Sequence, residues 1–316
     1  MEPDDDAPFR HEPVLRAEVV ELLSPVPAGV VLDGTVGGGG HAEAILNAHP
    51  HLDLIGLDQD PTALAAAGRR LATVAQSRPG RVRLVRQRFD RLADALAAAG
   101  VETLSGFLFD LGVSSPQLDR PERGFSYRAE GPLDMRMDPD SRLSAADVVN
   151  TYDEGRLIDV LRRHADERFA ARIARAVIAA RPLRSTTELA TVVSAAIPAA
   201  ARRTGGHPAK RTFQALRIEV NAELGVLRPA LESALDHLVV GGRGLVLTYH
   251  SGEDRIVKEA FRSRSTVATP RGMPVAGPAA PFMVLRPSVR RASPEEVGLN
   301  RRASSARLRA VERVAA

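Results

Sequence analysis

The residues with the most capacity for chemistry in this chain are a glycine run closing on a histidine, Gly37-Gly38-Gly39-Gly40-His41, and two aspartates, Asp58 and Asp110, each ending a short apolar run. Glycines in series let a ligand lie against the backbone, where a Cβ would otherwise stand, and they supply turns that need φ > 0. Where such a run opens a helix, the unpaired N–H groups of the first turn face the ligand, which suits a nucleotide-like cofactor. An acid at the end of the following strand accepts hydrogen bonds from ribose hydroxyls. Asp58 has that place, at the end of Leu52-Asp53-Leu54-Ile55-Gly56-Leu57. Asp110 ends Gly106-Phe107-Leu108-Phe109 and runs into Leu111-Gly112-Val113-Ser114-Ser115-Pro116-Gln117. A carboxylate at the carboxyl end of a central strand lies in the crevice where open α/β sheets do their chemistry; the alternative is an aspartate that only caps the loop it begins. His250-Ser251-Gly252-Glu253-Asp254-Arg255 sets further polar groups at the end of another strand. No residues stand at metal-ligand spacing and cysteine is absent, so no metal centre is expected.

Holding these groups on one rim requires a parallel sheet, and the chain alternates accordingly. Strands are predicted at 28–33, 52–57, 82–87 and 106–110, with helices at 41–48, 61–76 and 91–99 between them. The strands are short and mostly apolar, as a sheet covered on both faces demands, and the pattern predicts a doubly wound α/β domain. A short helix through Leu23, ended by Pro25 and Pro27, precedes it, with His11 in the loop before that helix. Beyond Asp110 the alternation stops. Helical patterns begin at Ser144 and recur near 153–164, 166–181 and 185–196; in the third, Phe169, Ile173 and Val177 share an apolar face and Arg168, Arg172 and Arg175 a charged one. A long helix is predicted at 214–238, then strands at 243–249 and 306–313, with 263–305 mostly irregular and basic because prolines from Pro270 to Pro294 interrupt it. The expected organisation is a cofactor-binding domain, 1–137 and 214–316, with a helical insertion at 138–213.

At 316 residues the chain can bury a full core. No apolar run reaches the ~18 residues of a membrane span, and Met1 to Asp6 is acidic where a secretory signal would be basic; a cytoplasmic protein without membrane partners is expected. The formal charge is only +4, but the pI is about 10.0 because nearly every base is arginine. Basic residues crowd 201–217 (Arg202, Arg203, Lys210, Arg211, Arg217) and 286–309, as a polyanion-binding surface requires, although solvated arginines on an ordinary surface give the same pattern. Phe125 and Tyr127 lie in a charged, glycine-rich loop. They either stack a planar group such as a base or pin the loop to a core.

Read together, these segments resemble one family, the bacterial small-subunit rRNA cytosine-N4 methyltransferases known as RsmH or MraW. The matching blocks are His11-Glu-Pro-Val-Leu15, Gly37 to His41, Asp110-Leu-Gly-Val-Ser-Ser-Pro-Gln117, Arg123-Gly-Phe-Ser126, Gly131-Pro-Leu-Asp-Met-Arg-Met-Asp138, Glu167-Arg-Phe-Ala170, Arg211-Thr-Phe-Gln-Ala215, His250-Ser251 with Glu253-Asp-Arg-Ile-Val-Lys258, and Asn300-Arg-Arg-Ala-Ser-Ser305. The chain departs from the family pattern at Gly38, where many relatives carry arginine, at Tyr249, where phenylalanine is usual, and at Gly252, where leucine is usual. The resemblance implies a Rossmann-like class I methyltransferase sheet with an inserted small helical domain, S-adenosyl-L-methionine as cofactor, and N4-methylation of a cytidine in 16S rRNA of the small ribosomal subunit. It places Gly39, Gly40 and His41 on the methionine side of the cofactor, Asp58 on its ribose and Phe89 near its adenine, with Asp110 and Gln117 completing the site.

Cytosine N4 is a poor nucleophile because its lone pair is delocalised into the ring. An acceptor bonded to an N4 hydrogen would help, since it stabilises the positive charge that moves to nitrogen; Asp110 and the carbonyls of Ser114-Ser115-Pro116 are the candidates. The target base must be unstacked, which gives a role to Phe125 and Tyr127 and to the cations Arg202, Arg203, Lys210 and Arg211 as RNA-binding residues. Homodimer formation is left open. Two other classes share parts of the pattern: a nicotinamide-dependent oxidoreductase, which gives no reason for the block from Asp110 to Gln117, and a non-catalytic RNA-binding module, which has no need of the cofactor residues.

Overall fold

In the computed structural model, residues 12–202, 206–266 and 280–315 are described; His11 lies outside them. The chain forms two compact units, Met1–Gly112 with Pro229–Ala316, and Val113–Arg228.

The first unit is built on a seven-stranded sheet of order β3-β2-β1-β4-β5-β7-β6. Its strands are β1 (Gly29–Asp33), β2 (Leu52–Asp58), β3 (Val82–Arg86), β4 (Leu104–Asp110), β5 (Leu238–Thr248), β6 (Phe282–Val284) and β7 (Arg307–Arg313). The first five run parallel, and β7 enters antiparallel between β5 and β6. This is the doubly wound sheet expected. β4, next to the reversal point, is buried along its whole length except at Asp110, with Phe107 and Phe109 fully enclosed. Strands that bury both faces carry few polar side chains, so the one carboxylate emerges where the strand ends. Helices α1 (Arg16–Leu23), α2 (Gly40–Ala48), α3 (Pro61–Ser77) and α4 (Leu92–Ala99) flank the sheet. Pro61 begins α3, where its missing N–H costs nothing, and the Asp60 side chain caps the helix by accepting from Thr62 N.

The stretch expected to be mostly irregular, 263–305, contains regular pieces. Helix Ser251–Arg264 reaches into it, β6 follows Pro281, and helix Pro294–Leu299 starts on its proline with Ser293 as N-cap. Proline blocks a helix interior or a central strand, but it is compatible with these positions at the start of an element.

The second unit is helical and larger than the 138–213 expected. Phe125, Leu133, Met135 and Met137 are buried in one core with Val148, Val149, Leu161, Ile173, Val177, Leu189, Phe213 and Leu216. Asn221 ties this loop down: its side chain donates to Met135 O and accepts from Met137 N, both at 2.8 Å. The charges in the loop hid four buried apolar side chains, and these carry 113–137 into the helical unit. Reciprocal capping boxes, Ser144 with Asp147 and Ser185 with Glu188, begin helices Ala145–Thr151 and Thr186–Ala196. The helix expected over 166–181 is shorter, Ala170–Ala179, because Asp166 turns left-handed (φ 49°) to close the preceding helix. Ile173 and Val177 face the core while Arg168, Arg172 and Arg175 are exposed, as their spacing predicts. The single helix expected at 214–238 is two, Lys210–Asn221 and Glu223–His237, broken at left-handed Ala222 (φ 53°).

Candidate active site

In the sheet unit, the glycine turn, Asp58 and Asp110 converge on the carboxyl ends of β1, β2 and β4. Gly39 is the N-cap of α2 and left-handed (φ 79°); a Cβ there would stand 3.2 Å from Ala67 Cα of α3. A Cβ on Gly40 would meet Pro13 Cγ at 2.8 Å. Both glycines therefore let α2 begin in close packing, and α2 begins without a side-chain cap. Gly38 has open space around its Cβ position, so a side chain there would meet no obstacle.

Asp58 closes β2 and accepts backbone N–H bonds from Gly37 (3.0 Å), Asp60 (2.9 Å) and Gln59. Burial pushes its carboxyl up to about 6 despite those bonds. A carboxylate has about four lone-pair sites, so acceptor capacity remains for the hydroxyls of a ribose. Phe89 follows β3 and packs its ring on Phe109, with centroids 5.3 Å apart.

Asp110 is held by two hydroxyls. Its backbone N–H donates to Thr35 Oγ1 at 2.6 Å, and its Oδ1 accepts from Tyr249 Oη at 2.7 Å. Burial, and then the charge of Asp110, push the Tyr249 phenol well above its usual range, so the phenol keeps its proton and donates it to the carboxylate. Asp110 Oδ2 lies 3.6 Å from His41 Nε2. His41 is buried, at 6 % exposure, and neither ring nitrogen has a hydrogen-bond partner among the described residues. Behind this group, Asp33 is fully buried at the end of β1 and accepts from Thr35 N (3.1 Å). Its burial raises the carboxyl to about 7, opposed by His41 and the Thr35 N–H. The loop after β5 is anchored by Glu253, whose Oε2 accepts from the backbone N–H of Tyr249 (2.8 Å) and of His250 (3.2 Å).

Asp33, Thr35 and Tyr249 are absent from the sequence-derived site, whereas Glu253 lies in the polar segment after β5 that the sequence marked. Asp33 carried a signal, an acid at the end of a buried strand directly before the glycine turn. Tyr249 carried another, a polar hydroxyl where phenylalanine is usual. Gln117 belongs to the helical unit, where it is buried and accepts from Ser114 N at 3.0 Å. Of the RNA-binding candidates, Phe125 is enclosed in the helical core, at 5 % exposure, and has no free face to stack on, so of its two readings it takes the pinning one. Tyr127 is half-buried, Arg202, Lys210 and Arg211 are exposed, and Arg203 lies outside the described residues.

The residues fit a nucleoside cofactor: a helix start without a side-chain cap, an acid with acceptor capacity at the end of β2, and a buried imidazole whose nitrogens have no hydrogen-bond partner among the described residues. No group of side chains among the described residues could hold a metal ion. Fold and site together are those of a doubly wound α/β protein whose parallel strand ends suit a nucleotide-like cofactor. The sequence matches the MraW methylase family over residues 8–314, and the chain belongs to that family. It is 54% identical over 317 residues to the ribosomal RNA small subunit methyltransferase H of Mycobacterium sp. (strain KMS), covering 97% of this chain and 85% of that protein. With the protein of the same description from Mycolicibacterium smegmatis it shares 51% identity over 323 residues, 98% of this chain and 86% of the other. In fold, the crystal structure of an rRNA methylase from Streptococcus thermophilus aligns over 98% of this chain and 99% of that chain, at 12% identity and a TM-score of 0.43.

Proposed function

We propose that this chain transfers the methyl group of S-adenosyl-L-methionine to the exocyclic N4 of a cytidine in 16S rRNA, as a cytoplasmic enzyme of small-subunit maturation. The cofactor supplies an electrophilic methyl on a sulfonium. Gly39, Gly40 and His41 bind its methionine side, Asp58 its ribose and Phe89 its adenine, with Asp110 completing the pocket; the family resemblance adds Gln117 to the cofactor residues. The observation that carries the reading is Asp110 at the end of the central strand, its backbone N–H held by Thr35 Oγ1 and its carboxylate Oδ1 by the Tyr249 phenol. With Oδ1 engaged by the phenol, Oδ2, 3.6 Å from His41 Nε2, is the oxygen left to accept from a substrate amine. Accepting an N4–H there orients the nitrogen lone pair toward the methyl and stabilises the positive charge that builds as the N–C bond forms and the S–C bond breaks. The methylated N4, now cationic, afterwards gives its extra proton to water; the carbonyls of the Ser114-Ser115-Pro116 turn are the alternative hydrogen-bond acceptors for N4–H. Tyr127 and the cations Arg202, Arg203, Lys210 and Arg211 supply the RNA-binding surface, and the names of the relatives support rRNA as substrate.

The test is methylation of small-subunit rRNA with cofactor labelled in the methyl group, followed by digestion to nucleosides. Label in N4-methylcytidine is expected. Label in another nucleoside would keep the methyltransferase and discard the N4 assignment. Thermal stabilisation by NADH and not by S-adenosylhomocysteine would discard both.

A further inference from the structure

Two rings in the helical unit, Tyr127 and His207, come from distant parts of the chain and lie face to face, with centroids 4.4 Å apart and planes inclined by 17°. The inner ring is the tyrosine, half-buried, with its ring set edge-on to Phe213 at 5.7 Å; Phe213 belongs to the unit's core. The outer ring is His207, and it is exposed. It is nevertheless fixed, because its Nδ1 accepts a hydrogen bond from Ala209 N at 3.2 Å. An exposed side chain ordinarily keeps rotamer freedom that a ligand must remove on binding. Here the stack and the hydrogen bond have removed it already, and a flat ring is presented to solvent on a rigid base.

The charge beside these rings is positive. Arg128 follows Tyr127, and its guanidinium lies 5.9 Å from the tyrosine centroid. Lys210 and Arg211 begin the helix Lys210–Asn221, whose first turn holds no acidic residue and whose N-cap, Ala209, makes no side-chain bond. All three cations are exposed, and Arg211 also donates to Asp166 O. Cations at the positive end of a helix are unfavourable for the isolated protein, whereas an anionic ligand beside them removes the conflict.

We propose that the outer face of His207 stacks an unpaired base of the RNA substrate, extending the two-ring stack to three, while Arg128 and Lys210 neutralise neighbouring backbone phosphates. This rests on the reading of the chain as an RNA methyltransferase. Stacking uses the π-face that every base has, so the contact adds affinity for single-stranded RNA with little choice of sequence. His207 Nδ1 is occupied by Ala209, which leaves only Nε2 on the ring edge for reading polar groups.

Three variants of the full chain test it: His207→Ala, His207→Phe and His207→Gln. The probes are a small-subunit rRNA fragment for direct titration and a single-stranded RNA oligonucleotide carrying 2-aminopurine for fluorescence. His207→Ala should weaken RNA binding by roughly 5- to 150-fold, the range of one base-on-ring stack, and abolish the quenching of 2-aminopurine. His207→Phe should restore both, and His207→Gln neither; S-adenosylhomocysteine affinity should be unchanged throughout. RNA affinity equal to wild type in all three would overturn the proposal and reduce the ring pair to loop packing. Rescue by Gln as good as by Phe would also overturn it, in favour of a polar contact. RNA binding that depends on a flat ring at 207, in a protein that methylates no rRNA, would sink the methylation reading and leave this one standing.

Discussion

Replacing Asp33 by asparagine should stabilise the protein at pH 8 and not at pH 4. The Asp33 carboxyl is fully buried, and burial raises it from 3.8 to about 7. A raised carboxyl binds its proton more tightly in the folded state than in the unfolded one. Its favourable contribution is therefore complete below the unfolded value of 3.8 and is lost as pH climbs through about 7. A shift of about 3 units, at about 1.4 kcal/mol each, makes the ionised residue cost about 4 kcal/mol of stability at pH 8. Asparagine has nearly the same volume and keeps an oxygen to accept the Thr35 N–H, but it brings a buried NH2 whose missing partner costs about 1–3 kcal/mol. The net expectation is a gain of roughly 1–3 kcal/mol at pH 8 and a loss of roughly 1–3 kcal/mol at pH 4. Urea unfolding of both proteins across that range measures it. The quantity to read is the difference between variant and wild type, which should widen by about 4 kcal/mol from pH 4 to pH 8. Parallel stability curves would refute the reasoning, because they would mean that Asp33 ionises in the folded protein as freely as in the unfolded chain. Asp33 sits behind Thr35 and hence behind Asp110, so a stabilised variant with slower methyl transfer would show that the buried charge is kept for function.

Asp58→Ala should weaken S-adenosylhomocysteine binding by roughly 1.5–3 kcal/mol in calorimetry with the fold intact; in wild type the affinity should fall as pH drops below about 6, where Asp58 takes up its proton, and Asp58→Asn should lack that decline. Asp110→Asn should lower the single-turnover rate about 10²-fold at saturating cofactor and RNA with little change in binding, and a rate that recovers fully at saturating cofactor would make Asp110 a binding residue only. Tyr249→Phe should slow the same step less and leave RNA affinity alone; a rate equal to wild type would mean that Thr35 alone suffices to hold Asp110. Neutralising Arg202, Arg203, Lys210 and Arg211 together should reduce the slope of log K for RNA against log salt by up to about 3, at ~0.7 per single-strand phosphate contact, and an unchanged slope would return these residues to the solvated surface.

The sheet was legible because each parallel strand is a short apolar run that stops at a turn or a carboxylate, and hydrophobicity along the chain records both events. Strand and helix ends in the sheet unit accordingly fall within a few residues of those predicted, except that β5 starts at Leu238 and not 243. The break at Ala222 was not legible, since alanine favours helix and rarely turns left-handed as it does here. The extent of the helical unit was missed for a related reason: Phe125, Met135 and Met137 are separated by charged residues, so the segment resembles a polar loop until the core that receives them is known. At the site, Gly39, Asp58 and Asp110 announce themselves by residue type at the end of a strand. Tyr249 reaches Asp110 from the end of a different strand, a contact that sequence separation conceals.

The order of the sheet also bears on how the chain is made. β4 ends at Asp110, and the strand that covers its open side, β5, begins only at Leu238. During vectorial synthesis all of 111–237 therefore emerges while that edge of β4 is bare, and β5 in turn waits for β7 at Arg307–Arg313. An unpaired apolar edge is a template for pairing with the wrong chain. The helical unit, by contrast, lies entirely within the intervening length and can complete its own core first. A ribosome stalled before Arg307 would thus release a folded helical unit attached to an unfinished, adhesive sheet, which makes the distal residues a checkpoint for solubility as much as for architecture.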